Sequence, residues 1–424
     1  MTTDAKAAPA EVLCIGFGAL GTIYSYLLSQ GGAQVTAVAR SNYSTLSSDG
    51  IHISSAKYGE VPGWKPHRVI REVEPEKAAD TSYDFVLCTF KNVPDLKPAS
   101  SIIRPFLKKV APGSGGKLPT IVLLQNGVGI EEEVQRNLVE CEEPLAKGVV
   151  SVIAWIGANL VDGGTKVTHG ALERLEMGVY ASSKAEVAEN GIRIPSAEEQ
   201  AELDRFASIY AAGGGTGKVV DDIESIRWQK VLWNASWGGL STLSRQPVNA
   251  LLQEETLHYS AGVVRRIMLE IMYVARSCGI GESRFPAAAI DQAFNITLNT
   301  TTIPGVAEPG KGGALAPNFK PSILLDLEYN RPMEMEPIIG NIVAFARKNN
   351  VDTPRLDLIL AALKPNQLAA IAAANARELK SNPSANSTPS TNSDISKKYS
   401  DLNATSKGNW PEGAPVSKSP HTYL

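Results

Sequence analysis

Lys230 and Asn234 stand four residues apart in RWQKVLWNASWGG (227–239), a stretch with three tryptophans and no proline. At about 100° per residue, Trp228, Val231, Leu232 and Ala235 share one side of a helix, while Trp233 and Trp237 take much of the other. A rod so nearly surrounded by apolar surface is buried. Lys230 and Asn234 then stack on one stripe, where an ammonium is costly to desolvate unless something needs it there. Such a group suits the reduction of a carbonyl, whose oxygen becomes an alkoxide and needs a donor in place and a proton. The plain alternative is a lysine that snorkels to water from a packed helix.

A second group of residues suits a cofactor. Gly16-Phe17-Gly18-Ala19-Leu20-Gly21 follows the apolar run EVLCIG and opens the helical stretch YSYLLSQGG. In that setting the first glycine permits a tight turn, the second lets backbone approach a pyrophosphate, and the third permits close helix packing, with the helix N-terminus facing the anion. The next strand ends in Arg40, followed by Ser41 and Asn42, and no acid appears before Asp49. A forked cation there fits a 2′-phosphate, which favours NADPH over NADH; a solvated arginine is the alternative. Lys91 and Asn126 close two further strand-like runs, CTFK and LLQNG. Ligands of open α/β sheets collect at such carboxyl ends, although either residue could be an ordinary polar loop residue.

The elements that must position these groups fall in two parts. Residues 11–215 alternate β-rich and helical runs, the pattern of a Rossmann-type doubly wound α/β sheet; the clearest strands are 11–16, 33–40, 83–90 and 120–126, with 149–161 and 172–180 extending the sheet. A polar loop at 181–200 enters a helix at 197–211, and Gly213, Gly214, Gly215 and Gly217 mark a break. From 216 to 378 the periodicity is helical, with apolar spacing over 224–245, 254–279, 285–300, 333–349 and 355–377 and a Gly/Pro-rich loop at 303–321. This predicts an all-helical C-terminal domain. Residues 1–10 read as a flexible N-terminus, and the Ser/Asn/Pro-rich 379–424 as a disordered tail.

Composition narrows the partner. Lys plus Arg number 41 against 44 Asp plus Glu, and the pI is near 6.1, so bulk attraction to nucleic acid or anionic membrane is not expected. Cys14, Cys88, Cys141 and Cys278 lie far apart without paired spacing, which suggests neither a metal site nor a disulfide framework. No secretory leader is apparent and no eighteen apolar residues run together, so a cytoplasmic protein is expected.

Taken in order, GFGALG with Arg40, TFKN, LLQNGVG, THGALERLEMG, VVDDIESIRWQKVLWNASW and SILLDLEYNRPMEMEPIIGNIV resemble the ketopantoate reductase (2-dehydropantoate 2-reductase) family over residues 11 to about 363. The resemblance implies NADPH-dependent reduction of the 2-oxo group of ketopantoate to pantoate, with Lys230 as proton donor and Asn234 as substrate ligand. It places cofactor contacts on Lys91 and Asn126 beside the glycine turn, makes Ser322 a substrate ligand, and puts Glu334 in the catalytic set. Nearby, Glu334 would raise the pKa of Lys230 and partial burial would lower it; the sequence does not decide which wins. Glu334 could instead favour a helix N-terminus, and Ser322 could be a cap. One departure stands out: bacterial members commonly carry a second substrate asparagine where this chain has Gly238, so either Ser241 or another side chain substitutes or the substrate differs. Another 2-oxo acid and a non-catalytic NADP(H)-sensing protein are the alternatives. The partner is a small 2-oxo acid, and a homodimer is left open.

Overall fold

The computed structural model of the chain describes residues 8–110, 116–298 and 319–381. It opens β1 (Glu11–Ile15), α1 (Ala19–Gln30), β2 (Gln34–Ala39), α2 (Tyr43–Ser48), β3 (Ile51–Ser55), β4 (Gly59–Trp64), β5 (Arg68–Arg71), β6 (Phe85–Cys88), α3 (Ala99–Ile103) and β7 (Thr120–Leu123). It continues α4 (Glu131–Val134), β8 (Gly148–Val161), β9 (Lys166–Tyr180), α5 (Ala197–Ala212) and β10 (Gly217–Val219). One sheet holds all ten strands in the order β4-β3-β9-β8-β7-β6-β1-β2-β5, with β10 beside β9.

From β5 to β8 every pairing is parallel. Alternate residues face opposite layers: Val12, Cys14, Phe85, Leu87 and Val122 enter one apolar cluster, and Leu13, Ile15, Val86, Cys88, Ile121 and Leu123 the other. Burial on both faces is why these strands read as unbroken apolar runs. The pairing Ile15–Cys88–Leu123 brings the ends of β1, β6 and β7 level, so Gly16, Thr89 to Lys91, and Leu124 to Asn126 emerge along one edge. β8 does not stop there. It pairs Leu123 with Ser151 and then runs on to Val161, antiparallel to β9, so the β8–β9 hairpin projects past the edge.

The helical part comprises α6 (Ile223–Ser244), α7 (Glu254–Ser277), α8 (Ala288–Leu298), α9 (Ser322–Glu328), α10 (Asn341–Lys348) and α11 (Pro354–Ser381). α6 begins where Asp222 accepts from the Ser225 N–H at 3.1 Å and grips Arg284 with both oxygens at 2.7 Å. Its apolar residues enter the third cluster: Trp228, Val231, Leu232, Ala235 and Trp237 are buried with Ile267, Ile271, Ile339 and Leu356. Trp237 stacks on Phe294, Trp228 tilts against Phe345, and Trp233 donates its indole N–H to Thr297 at 2.9 Å. All three tryptophans therefore serve packing.

Several expectations shift. β3, β4 and β5 were not read from the sequence, and the strand expected at 172–180 starts at Lys166. β10 lies past the boundary expected at 215/216 yet pairs with the sheet. The helix expected over 333–349 is a π-turn at Glu336–Gly340 followed by α10, which leaves Glu334 in the segment entering it. Ala10, expected to be flexible, is buried and accepts from the Gln34 N–H at 2.9 Å. α11 reaches Ser381, so the tail expected from 379 begins as helix; residues 382–424, 1–7 and 299–318, which take in the expected Gly/Pro-rich loop up to 318, lie outside the described residues. Contacts gather the chain to Ala373 in one compact unit, and of the second the helical residues 374–381 are described. Pro354–Arg377 of α11 is long and apolar enough to cross a membrane by length and composition. Its Leu356, Ile359 and Leu363 nevertheless belong to the helical core.

Candidate active site

The glycine turn has the shape its residues predict. Gly16 has φ +98°, and a Cβ there would lie 2.2 Å from the Phe90 nitrogen. Gly21 is as tight, with a Cβ 2.6 Å from the Gly16 oxygen, whereas a Cβ on Gly18 would meet nothing within 4 Å. Gly18 is the N-cap of the twelve-residue α1 and lends it no side-chain cap. Free N–H groups at a helix N-terminus beside open space suit a pyrophosphate, so the residues present fit a dinucleotide. Among the described residues no three His, Cys, Asp or Glu side chains cluster as metal ligands.

At the end of β2, Arg40 keeps 73% of its side chain exposed and pairs through Nε with Glu72 Oε2 at 2.9 Å. Asn42 is buried and donates to the Phe17 carbonyl at 2.8 Å, so its amide braces the turn. The strand was expected to lack a nearby acid. Glu72 supplies one from the residue after β5.

Between the sheet edge and the helical part lie the polar groups that the two share. Lys230 is half-buried on α6 and donates to the Ala154 carbonyl of β8 at 2.7 Å, its Nζ standing 5.4 Å from the Trp155 ring centre. Burial foremost, then the Arg227 charge, lowers its pKa to about 8, against the pull of Glu334 and Glu176. Glu334 is buried; Oε1 accepts from the Asn92 N–H at 3.0 Å and Oε2 from the Asn126 amide at 3.3 Å. Its pKa is raised, burial outweighing the Asn92 N–H, the Lys91 charge and the Asn126 amide. Lys91 reaches across to Asp326 of α9, which also pairs with Arg331 at 3.1 Å. Burial raises the Asp326 pKa despite both cations. Asn234 is half-buried and has no side-chain hydrogen bond among the described residues, while Ser322 is exposed at the first turn of α9. The structure thus bonds Asn126 to Glu334, which feels the charge of Lys91 and acts in turn on that of Lys230, while Lys91 itself is bonded to Asp326.

Arg227 lies on the same helix, one turn before Lys230. It is buried, pairs with Glu131, and donates to Ser151 Oγ at 2.7 Å and to the carbonyls of Gln125, Gly127, Val152 and Leu123 at 2.8, 3.1, 3.2 and 3.4 Å. It ties α6 to the end of β7, to the segment just after it and to the first half of β8. Next to it, Gly127 has φ +101°, and a Cβ there would lie 2.3 Å from the Pro337 oxygen.

Comparison with known proteins decides the family. The sequence model described as ketopantoate reductase PanE/ApbA matches residues 12–182, and ketopantoate reductase PanE/ApbA C terminal matches residues 222–367. The chain belongs to the ketopantoate reductase family. A crystal structure of 2-dehydropantoate 2-reductase from Methylococcus capsulatus is 29% identical, with TM-score 0.64 over 85% of this chain and 97% of that one. An uncharacterized protein of Saccharomyces cerevisiae is also 29% identical, over 82% of this chain and 91% of its own length. D-mandelate dehydrogenase in complex with NADH and anilino(oxo)acetate shares the fold at 17% identity, TM-score 0.63, over 85% of this chain and 99% of that one.

Membership in the ketopantoate reductase family makes the chain an oxidoreductase with a Rossmann-like fold. Against the family pattern, Ser241 does not replace the missing asparagine, because it is fully buried and its hydroxyl donates to the Gln246 carbonyl. A Cβ on Gly238 would meet Pro321 Cβ at 3.7 Å and Ile323 Cδ1 at 3.8 Å, which is ordinary contact. Four residues near Lys230, Lys91 and Glu334 are not singled out by the sequence: Arg227, Trp155, Glu176 and Asp326. Arg227 had a signal, being a cation next to the first tryptophan of a buried helix; the other three are marked only by the pairing of β8 with β9 and by α9.

Proposed function

We propose that the protein reduces the 2-oxo group of a small 2-oxo acid, ketopantoate first among them, with NADPH as reductant and Lys230 as proton donor. The observation that carries this reading is Lys230 itself. An ammonium has three N–H groups, and among the described residues Lys230 gives one to Ala154 and no other hydrogen bond is made. Two donors remain at the mouth of a polar network, where an alkoxide would form. The bound nicotinamide supplies the hydride. Lys230 supplies the hydrogen bond and then the proton; the Asn234 amide binds a substrate oxygen without adding charge; Asn126 holds Glu334, which pulls the Lys230 pKa up against the effect of burial.

The protonation state gives the reading a sign. Only protonated Lys230 can donate, so kcat/KM for reduction falls as pH rises through about 8. The direct test is a panel of 2-oxo acids assayed with NADPH and with NADH by loss of nicotinamide absorbance. Turnover with none of them rejects the reading and leaves a cofactor-sensing protein.

A second reading is a different small 2-oxo acid, since the position where bacterial members commonly carry a second substrate asparagine is the buried Gly238, packed against Pro321 and Ile323, and Ser241 does not replace the amide. Ketopantoate turned over no better than other members of the same panel favours it.

A further inference from the structure

Lys230 is held from outside its own helix by the projecting hairpin. Trp155 and Arg174 are directly opposed in the β8–β9 ladder, and Glu176 lies two residues beyond Arg174, so all three face the same side of the sheet. The Trp155 indole N–H donates to Glu176 Oε2 at 2.9 Å. The ring lies 5.4 Å from Lys230 Nζ, and the Ala154 carbonyl next to it accepts from that same nitrogen. Glu176 is largely buried, with 17% of its side chain exposed, and Arg174 stands 3.8 Å from its other oxygen and 5.7 Å from the Trp155 ring.

We propose that Trp155 and Glu176 are positioning residues for the Lys230 ammonium: the indole ring supports the charge from below, and Glu176 fixes the ring through its N–H while setting a negative charge beside it. This rests on Lys230 being the proton donor. A lysine on a flexible four-carbon stem, with one hydrogen bond, sweeps a wide cone; an aromatic face within about 6 Å attracts the ammonium and narrows that cone. The charged groups around Lys230 are Glu176 and Arg174 on β9, Glu334 ahead of α10, and Arg227 on α6 itself, with β8 contributing only the Ala154 carbonyl and the ring. Glu176 is therefore the hairpin's one negative group in this set, and it opposes the Arg227 charge.

Two variants of the full-length protein separate charge from orientation. Glu176→Gln keeps an acceptor for the indole and removes the charge, so the alkaline limb of kcat/KM moves to lower pH by roughly half a unit or more. Trp155→Phe keeps a ring and removes its N–H, so kcat falls about tenfold while KM for the nicotinamide stays at the wild-type value. A second readout needs no substrate: the rate at which an acylating reagent modifies Lys230 is followed against pH by peptide mass spectrometry, and its midpoint drops in Glu176→Gln. Coincident labelling midpoints in the wild type and Glu176→Gln overturn the proposal, as does a wild-type kcat in Trp155→Phe. If the wild-type protein turns over no 2-oxo acid, the proposed function fails, while the labelling curve still judges the role of Glu176.

Discussion

Arg227 and Lys230 are cations three residues apart on α6, and both reach for the carboxyl edge of the sheet. They meet opposite fates. A guanidinium has five N–H groups, and Arg227 gives them to Ser151, Gln125, Gly127, Leu123 and Val152 while its charge is balanced by Glu131. Lys230 gives one N–H to Ala154. A buried cation with every donor spent can hold two elements together but has nothing left for a ligand. One that keeps its donors is poorly placed for stability and well placed for chemistry, because a neutral form comes within reach as burial lowers its pKa. The same helix therefore carries a joint and a reagent, told apart by their partners and not by their charge.

That contrast breaks most sharply at Lys230. Lys230→Ala is expected to lower kcat by on the order of 10²–10⁴-fold with little change in the denaturation midpoint, because the alanine leaves only one carbonyl without its donor. Steady-state rates and chemical denaturation on the same preparation check both halves. A rate within a few-fold of wild type would end the proton-donor role.

Arg227→Met should do the reverse. It takes the cation from the buried Glu131 carboxylate, which keeps the Ser151 hydroxyl, and a donor from four backbone carbonyls, a loss of roughly 3–5 kcal/mol in unfolding free energy. Adding Glu131→Leu should restore part of that loss, since a missing pair costs less than a stranded charge. Urea titrations of the wild type, the single variant and the double variant measure the coupling. If Arg227→Met loses turnover at unchanged stability, Arg227 acts on Lys230 more than on the fold, and the division between joint and reagent falls.

The sequence made Lys230 legible and left Arg227 obscure for one reason. A polar stripe on an otherwise apolar helix is visible in the spacing, but four of the five acceptors of Arg227 are backbone carbonyls, which no residue type announces. The strands divide likewise. β1, β2, β6 and β7 are covered on both faces and show as apolar runs. β4, GEVPGW, is exposed or half-exposed along its whole length and carries two glycines and a proline, so composition argues against the strand that its pairing with β3 creates. Glu334 entered the catalytic set through the resemblance, while its residue type alone fitted a helix start equally well; its bonds to Asn92 and Asn126, made from the segment that leads into the π-turn, show where the carboxylate points.

Arg40 extends the contrast to a third cation, the most exposed of them, whose one partner among the described residues is Glu72. Exposed pairs contribute about 0–1 kcal/mol, so neither stability nor turnover should change when this pair is cut; the readout is cofactor choice. If Arg40 meets a 2′-phosphate, Arg40→Ala weakens NADPH binding roughly tenfold more than NADH binding, about 1.4 kcal/mol of lost charge-assisted contact. Glu72→Gln then tightens NADPH by a few-fold, because it frees the guanidinium and removes a negative charge that the phosphate must approach. NADH binding should stay where it was. Fluorescence titration of both nucleotides at one fixed salt concentration measures this, since screening would otherwise blur so small a difference. The opposite outcome, NADH weakened by Glu72→Gln and NADPH indifferent to Arg40→Ala, would mean that Glu72 is the acid that holds ribose hydroxyls in an NAD site, and that the arginine at the end of β2 serves only to hold that carboxylate.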